Sequence, residues 1–453
     1  MSALQSSVSV QRQSNRSAGG QPGAVPAALQ PAPIIQASVC ALVVALWAWA
    51  WVPQLLDLLY IGRQNVVFGQ SAVRSAPAAT VYKVIVGCIG ALSVALILSG
   101  LASARRNYLG PILVLLAPWA ALSGAYVVQG GRNNELLLYP VVAIAFALNW
   151  NSSRVVYRTL RVLIIVTALS SLVLGASQSG LFLSDPTRMV ANEKALFGGL
   201  LLNGLFPTSN QLGLALALGI PILMVTIKSR YWRWTSVAFV LAALVWTSAR
   251  TSILISVVVI AVLVMSGSRM RQALTIGRLA TVLAGFLVVV VPFVFTDPTA
   301  FTNRAWIWQC ALRFAFDDVT TMLFGGGAMI FREASPVTYA VGAIAGTGHN
   351  VFVTIVTIGG MAALVAVAIL WIFYLRAASK FFEVDRLPLI FLLTVTGLSV
   401  IEDPLRAFTI GPQAFIFIPL LAMPLAAAYE AQIAESSRHV NSLKSSTVQK
   451  ATG

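Results

Sequence analysis

The sequence is poor in charge. Only 10% of its 453 residues are Asp, Glu, Lys or Arg, against 58% hydrophobic residues, too little charge to keep a soluble protein of this size dispersed. Acid is scarcer than base, with 14 Asp and Glu facing 30 Lys and Arg. The basic residues lie in small clusters between apolar runs rather than in one patch, which argues against nucleic acid as a partner. Three cysteines are too few for a disulfide framework. Cys40 and Cys88 fall in the first two apolar runs and Cys310 stands alone in a loop, so all three read as thiols without chemistry. No phosphate-binding glycine loop, Cys/His metal spacing or serine-hydrolase elbow occurs. Apart from Asp57, near the end of the first run, the carboxylates fall in loops, at run ends or in the tail. A proton- or sodium-coupled carrier usually needs an ionisable group at membrane depth, so their absence there counts against one. The lack of an internal repeat counts against a transporter built from duplicated halves.

What is present is a series of apolar runs of roughly 14–25 residues, the length range of membrane spans. They fall at 38–58, 81–101, 109–128, 136–149, 162–181, 210–227, 234–248, 252–266, 279–295, 350–374, 387–401 and 411–428. They predict an all-α polytopic membrane protein of about twelve transmembrane helices. The short connections dense in base are assigned to the cytoplasm. They hold Arg105 and Arg106; Arg154, Arg158 and Arg161; Lys228, Arg230 and Arg233; Arg269, Arg271 and Arg278; and Arg376, Lys380 and Arg386. Both termini fall on that side, and an even number of spans follows. Residues 234–266 test this threading. As one helix they rise about 50 Å, against a hydrocarbon core of about 30 Å. A turn at Ser248-Ala249-Arg250-Thr251-Ser252 resolves the excess and puts Arg250 at the outer face.

Residues 1–33, rich in Ser, Gln, Ala and Pro, read as a disordered cytoplasmic tail without a cleavable signal, so the first span serves as its own insertion signal. The membrane domain is expected over 34–428 and a polar cytoplasmic tail over 429–453, with His439 solvated. The outer segments 59–80, 182–209 and 296–349 exceed a turn. The last precedes the tenth span and carries Trp306, Trp308, Leu312, Phe314 and Phe316, a pattern for a helix lying on the membrane surface or packed against the spans. Gly325-Gly326-Gly327 then breaks it. Residues 195–206 are apolar but too short to span and read as an interfacial or re-entrant piece.

His349 closes the long outer segment in Gly346-Thr347-Gly348-His349-Asn350. A neutral imidazole there is placed to take a proton from a hydroxyl nucleophile. Outer arginines accompany it. Arg63, Arg74, Arg132, Arg313, Arg332 and Arg406 read as snorkelling or capping residues, whereas Arg188, Arg250 and Arg304 sit in richer surroundings. Guanidinium forks bind phosphate oxygens bidentately and keep their charge, so several converging near one histidine suit a phosphorylated or pyrophosphorylated substrate. Asp317-Asp318 reads as a solvated face rather than a metal site, because adjacent carboxylates on a helix diverge by about 100°.

Four stretches resemble the bacterial O-antigen ligase/polymerase family of membrane glycosyltransferases. They are Arg188 to Gly213, ending in Pro207-Thr208-Ser209-Asn210-Gln211-Leu212-Gly213; Thr247-Ser248-Ala249-Arg250-Thr251-Ser252; Asn303-Arg304-Ala305-Trp306-Ile307-Trp308; and Gly348-His349-Asn350 with Gly359-Gly360 following. Their order and side match, over roughly residues 180–375. The resemblance implies a multi-pass enzyme of the bacterial inner membrane, with 296–349 as a periplasmic loop. Such an enzyme transfers a glycan from undecaprenyl pyrophosphate to an acceptor sugar hydroxyl at the periplasmic face, without metal or other cofactor. It further implies that Arg188 and Arg250 contact the pyrophosphate and that Arg304 supports that site or the loop. His349 is then the catalytic base, and Asn210 and Asn350 orient backbone or substrate. A ligase passes the chain to lipid A core; a polymerase of the same family extends a growing O-antigen or exopolysaccharide chain. A polysaccharide or lipid transporter is the reading from another class.

The threading predicts sidedness. In a variant freed of Cys40, Cys88 and Cys310, a cysteine at position 250 should react with an impermeant thiol reagent from outside intact cells. One at position 230 should react only after permeabilisation; the reverse pattern overturns the threading.

Overall fold

The computed structural model describes residues 32–62, 74–103, 109–128, 137–177, 182–184, 200–331, 335–341, 347–408 and 411–451. Each of the twelve apolar runs coincides with a helix: α1 Pro33–Ile61, α2 Ala76–Ser103, α3 Leu109–Val128, α4 Leu138–Leu148, α5 Ser153–Ser177, α6 Ser209–Thr226, α7 Arg230–Trp246, α8 Arg250–Ser266 and α9 Met270–Val294, then α13 Val351–Lys380, α14 Leu387–Leu398 and α15 Ala414–Ala451. Between α9 and α13 lie three shorter helices, α10 Ala300–Ala315, α11 Val319–Phe324 and α12 Pro336–Val341. Among the described residues, seven helices are long and apolar enough to cross a membrane: α1, α2, α5 with its 3₁₀ lead-in from Trp150, α6, α9, α13 and α15 as far as Ile433. α3, α4, α8 and α14 are apolar but shorter.

The shortness of α14 has a physical basis. At 1.5 Å per residue its twelve residues rise only about 18 Å, less than a hydrocarbon core. All of them are buried, packed on α6, α8, α9 and α13. A helix enclosed by protein can stop inside the bundle because neighbouring groups, rather than lipid, meet its ends. Gly397 brings it close to α8, where an added Cβ would lie 2.5 Å from Ile255 Cδ1.

Residues 234–266 do break, at the place expected: α7 ends at Trp246, Ser248 takes φ 54°, and α8 starts at Arg250. α7 and α8 both pack on α6. α10 is packed inward against α13 rather than lying apart from the spans. Trp308 is fully buried and donates its indole N–H to the Gly348 carbonyl at 2.8 Å. Asp318 serves as the N-cap of α11, its Oδ1 accepting from the Thr320 and Thr321 amides.

The chain is helical as expected, and beside the helices a single short ladder is described, in which β1 (Leu183–Ser184) and β2 (Leu201–Leu202) pair antiparallel, Leu183 opposite Leu202. The apolar residues Leu201 and Leu202 are buried. α15 runs without interruption from Ala414 to Ala451, through most of the segment expected as the C-terminal tail. The expected N-terminal tail lies outside the described residues.

The helix that follows the histidine loop is broken early. Within α13, Gly360 adopts φ 64°, ψ −164°, a conformation open to glycine and costly for other residues. The break frees the carbonyls of Thr357 and Ile358, which accept from the amides of Gly326 and Gly327 at 2.7 and 2.8 Å. Gly325, also at positive φ (76°), sits against Ile358. Thus the glycine triplet after α11 docks backbone to backbone on the Gly359-Gly360 break. A Cβ on Gly360 would come within 2.4 Å of the Leu323 carbonyl carbon, and one on Gly325 within 2.3 Å of the Ile358 oxygen. Gly360→Ala is therefore expected to cost about 2 kcal/mol or more, the left-handed penalty plus displacement of the α11 backbone. Gly62→Ala is the control, because Gly62 has similar φ (71°) but open space around its Cα. In detergent-solubilised protein the Gly360 variant should melt clearly lower than the Gly62 variant; equal melting refutes the close docking.

Candidate functional site

The beginnings of α8, α10 and α13 and the ends of α9 and α14 converge at one end of the bundle. Non-glycine residues with positive φ, each costing on the order of 1–3 kcal/mol, gather there. Among the described residues they are Ser248, Phe301, Thr302, Asn303, His349, Arg406 and Phe408. Ser248 stands two residues before Arg250, Asn303 directly before Arg304, and His349 is itself a member. Strain of this kind persists only where surrounding contacts over-determine the backbone, and it concentrates at functional sites.

Those contacts are visible around His349. Its amide donates to Thr347 Oγ1 at 3.2 Å, and Trp308 holds the preceding carbonyl. Asn350 is fully buried and caps α13: Oδ1 accepts from the Val353 amide at 2.9 Å, while Nδ2 donates to the carbonyls of Val288 (3.0 Å) and Val400 (2.8 Å). Asn350 thus fastens the histidine loop to α9 and to the residues after α14. The Val351 amide adds a bond to the Ser399 carbonyl. Asn350 holds backbone of three segments here.

Arg304 and His349 meet at a residue that sequence reading passed over. Arg304 is 8% exposed; its Nη2 lies 2.7 Å from Glu402 Oε1 and its Nη1 donates to the Ile401 carbonyl at 2.5 Å. His349 Nδ1 stands 3.8 Å from Glu402 Oε2, within ion-pair range and beyond a hydrogen bond. The imidazole is about one-third exposed, so the ring has an outward side. Burial pushes the Glu402 carboxyl up, but the charges of Arg304 and His349 outweigh it and hold the group at about 2. Arg304 is committed to Glu402 and to backbone, a supporting role rather than an open guanidinium fork.

The next residue behaves oppositely. Asp403 is 7% exposed, and neither carboxylate oxygen accepts a well-formed hydrogen bond. Burial pushes it up to about 6, against the pull of the Arg406 charge, the nearby amides of Arg406 and Leu405, and the Thr354 hydroxyl. Arg406, expected to snorkel, turns inward toward Asp403 instead, its side chain lying against Gly411.

Arg250 is exposed in the first turn of α8. Ile255 on α8 meets Gly397 on α14, so Arg250, which starts α8, stands at the same end of the bundle as Glu402, which follows α14. The stretch holding Asn210 joins the same region. Thr208 caps α6, Gly213 packs on Ala249, and Gln413 Nε2 donates to the Gln211 carbonyl at 3.1 Å. Asn210 itself is half-buried in the first turn of α6. Arg188 lies outside the described residues, as do Arg63, Arg132 and Arg332.

Below this polar cluster an apolar cleft of about 250 Å³ runs between α9, α13 and α14. Val288, Val351, Phe352, Leu364, Trp371 and Leu405 are among its walls. Val351 follows Asn350, and the Val288 carbonyl is one that Asn350 holds, so the head of the cleft abuts the histidine loop. Compared with protein families, curated proteins and solved structures, the chain matches nothing.

Glu402 and Asp403 left no mark in sequence, because a Glu-Asp pair before Pro404 looks like any polar loop. The signal was the rarity of acid beside so much base.

The two shifts have opposite signs in stability. Glu402, depressed from 4.5 to about 2, contributes on the order of 3 kcal/mol that is present above pH 4.5 and lost as pH falls toward 2. Asp403, raised from 3.8 to about 6, contributes stability that is present at low pH and lost as pH rises from 3.8 to 6. Melting temperatures across pH 2–7 should lose the acid branch in Glu402→Gln and the second branch in Asp403→Asn. Unchanged profiles in both variants contradict the assignments.

Proposed function

We propose that this chain is a multi-pass glycosyltransferase of the bacterial inner membrane, of the O-antigen ligase/polymerase type, crossing the bilayer about twelve times with both termini cytoplasmic. The observation that carries this reading is the junction of a histidine–arginine–glutamate cluster with an apolar cleft. Such a junction suits an amphiphile whose charged head and reacting carbon meet the cluster while its hydrocarbon tail lies in the cleft. A glycan on undecaprenyl pyrophosphate has that shape.

In the proposed reaction His349 accepts the proton of an acceptor sugar hydroxyl through the ring nitrogen turned away from Glu402. The oxygen forms the new glycosidic bond to the anomeric carbon as the bond to pyrophosphate breaks, and the departing pyrophosphate keeps the electron pair. The leaving group needs stabilisation of its growing charge rather than protonation. Arg250, exposed in the first turn of α8 at the same end of the bundle, supplies a bidentate fork for it, and Arg188 is its proposed companion. Arg304 supports this site through Glu402. The single long segment 296–349 before α13, whose helix α10 packs on α13 itself, favours the ligase reading, with lipid A core as acceptor; a growing polysaccharide is the acceptor in the polymerase reading. A transporter reading finds little support, because the carboxylates Glu402 and Asp403 lie at one end of the bundle and not along a path through it.

With purified protein, a lipid-pyrophosphate-linked glycan and acceptor, His349→Ala should abolish transfer while the protein stays folded. Arg250→Lys should fail badly, since a point charge replaces a fork, and chelator should change little. Normal turnover by His349→Ala removes the proposed base. Product on lipid A core identifies a ligase, and longer chains still on undecaprenyl pyrophosphate identify a polymerase.

A further inference from the structure

His349 is one of only two histidines in the chain, and what faces it decides which of its nitrogens carries a proton. From the geometry we infer that Glu402 is a positioning residue for His349: its Oε2 keeps the proton on Nδ1 and so leaves Nε2 as the proton-accepting atom. The inference rests on the reading of His349 as base and adds to it the residue that makes the base usable.

Glu402 is buried, and its carboxylate is divided between two partners. Oε1 takes the Arg304 guanidinium at 2.7 Å, and Oε2 turns to His349 Nδ1 at 3.8 Å. A carboxylate that only neutralised Arg304 would have no reason to direct its second oxygen at a ring nitrogen. Both sides of the contact are held from elsewhere. The Glu402 amide donates to the Leu398 carbonyl at 3.0 Å, tying it to the end of α14. His349 is kept at φ 50° by Thr347, Trp308 and Asn350, which fixes its backbone and so the side from which its ring meets Glu402. The 3.8 Å separation is longer than a hydrogen bond, as such contacts often are before substrate closes on them. When His349 takes the hydroxyl proton on Nε2 it becomes an imidazolium whose Nδ1–H faces Glu402, and the carboxylate stabilises that charge without taking the proton. Arg304 moderates the effect by sharing Glu402. Among the described residues, the other charges at this end include Asp403 and Arg406 on the same connection, Arg250 at the head of α8 and Asp297 between α9 and α10.

The scarcity of histidine makes a direct test practical. In His439→Gln protein labelled with ¹⁵N-histidine, His349 is the sole imidazole, and its nitrogen shifts report tautomer and titration without any substrate. The Nδ1–H tautomer is expected when Glu402 is present. In Glu402→Gln the imidazole midpoint should fall by about one pH unit or more, and the tautomer preference should weaken. Glu402→Asp keeps the charge and should stay near the starting midpoint; it also serves if the Gln variant does not fold. An Nε2–H tautomer, or a midpoint that is the same with and without the carboxylate, overturns the inference. The reading beneath it fails separately, through transfer activity in His349→Ala with the nuclear magnetic resonance result intact.

Discussion

Arg304 and Glu402 are 98 residues apart in sequence and share a buried ion pair. Removing two charges from water costs several kcal/mol each, and attraction at short range repays it only with good geometry and further hydrogen bonds. Here the Ile401 carbonyl and His349 complete the arrangement. The pair ties the connection after α9 to the end of α14. Because α14 is the enclosed helix of the bundle, what is tied to its end is held relative to α6, α8, α9 and α13 together. The histidine loop, the left-handed turn at the start of α10 and the head of the apolar cleft all refer back to that anchor.

A second constraint is made of backbone alone. The break at Gly360 leaves two carbonyls of α13 without helical partners, and in a low-dielectric interior each such group is expensive. Amides from the glycine triplet after α11 satisfy them, which is possible only where no side chain separates the two backbones. The long connection between α9 and α13 is consequently folded onto the helices at both of its ends: Arg304 and Trp308 near its start, Gly325 to Gly327 in its second half. What length made look like a loop is held on the helices by an ion pair, an indole hydrogen bond and two backbone hydrogen bonds.

The cluster differs from the arrangement of base and arginines expected from sequence in what carries negative charge. Outer arginines were legible, and an excess of base made a phosphate-bearing substrate a natural expectation. The acid that organises two of those residues was not, since its weight comes from burial. Glu402 and Asp403 are adjacent yet shift in opposite directions, one beside a guanidinium and an imidazole, the other facing a helix terminus without a well-formed hydrogen bond. Local sequence carries no trace of that difference.

Hydropathy by itself determined where the helices are, because burying backbone in an apolar solvent leaves the helix as the main way to satisfy amides and carbonyls over twenty residues. It located α7 and α8 as separate elements through length and charge, and it singled out Arg250, Arg304 and His349 through their rarity and setting. It did not reveal that α14 stops short, that residues 183–184 and 201–202 pair as strands, or that α15 continues to Ala451, since each depends on neighbours rather than on the segment's own composition. Only the tertiary structure decided that Arg304 faces inward, that Asn350 bridges three segments and that Glu402 stands between Arg304 and His349. Periodicity and hydropathy are properties of neighbours in the chain, whereas an ion pair between residues 304 and 402 is a property of packing, and packing fixes which rare charged residues meet.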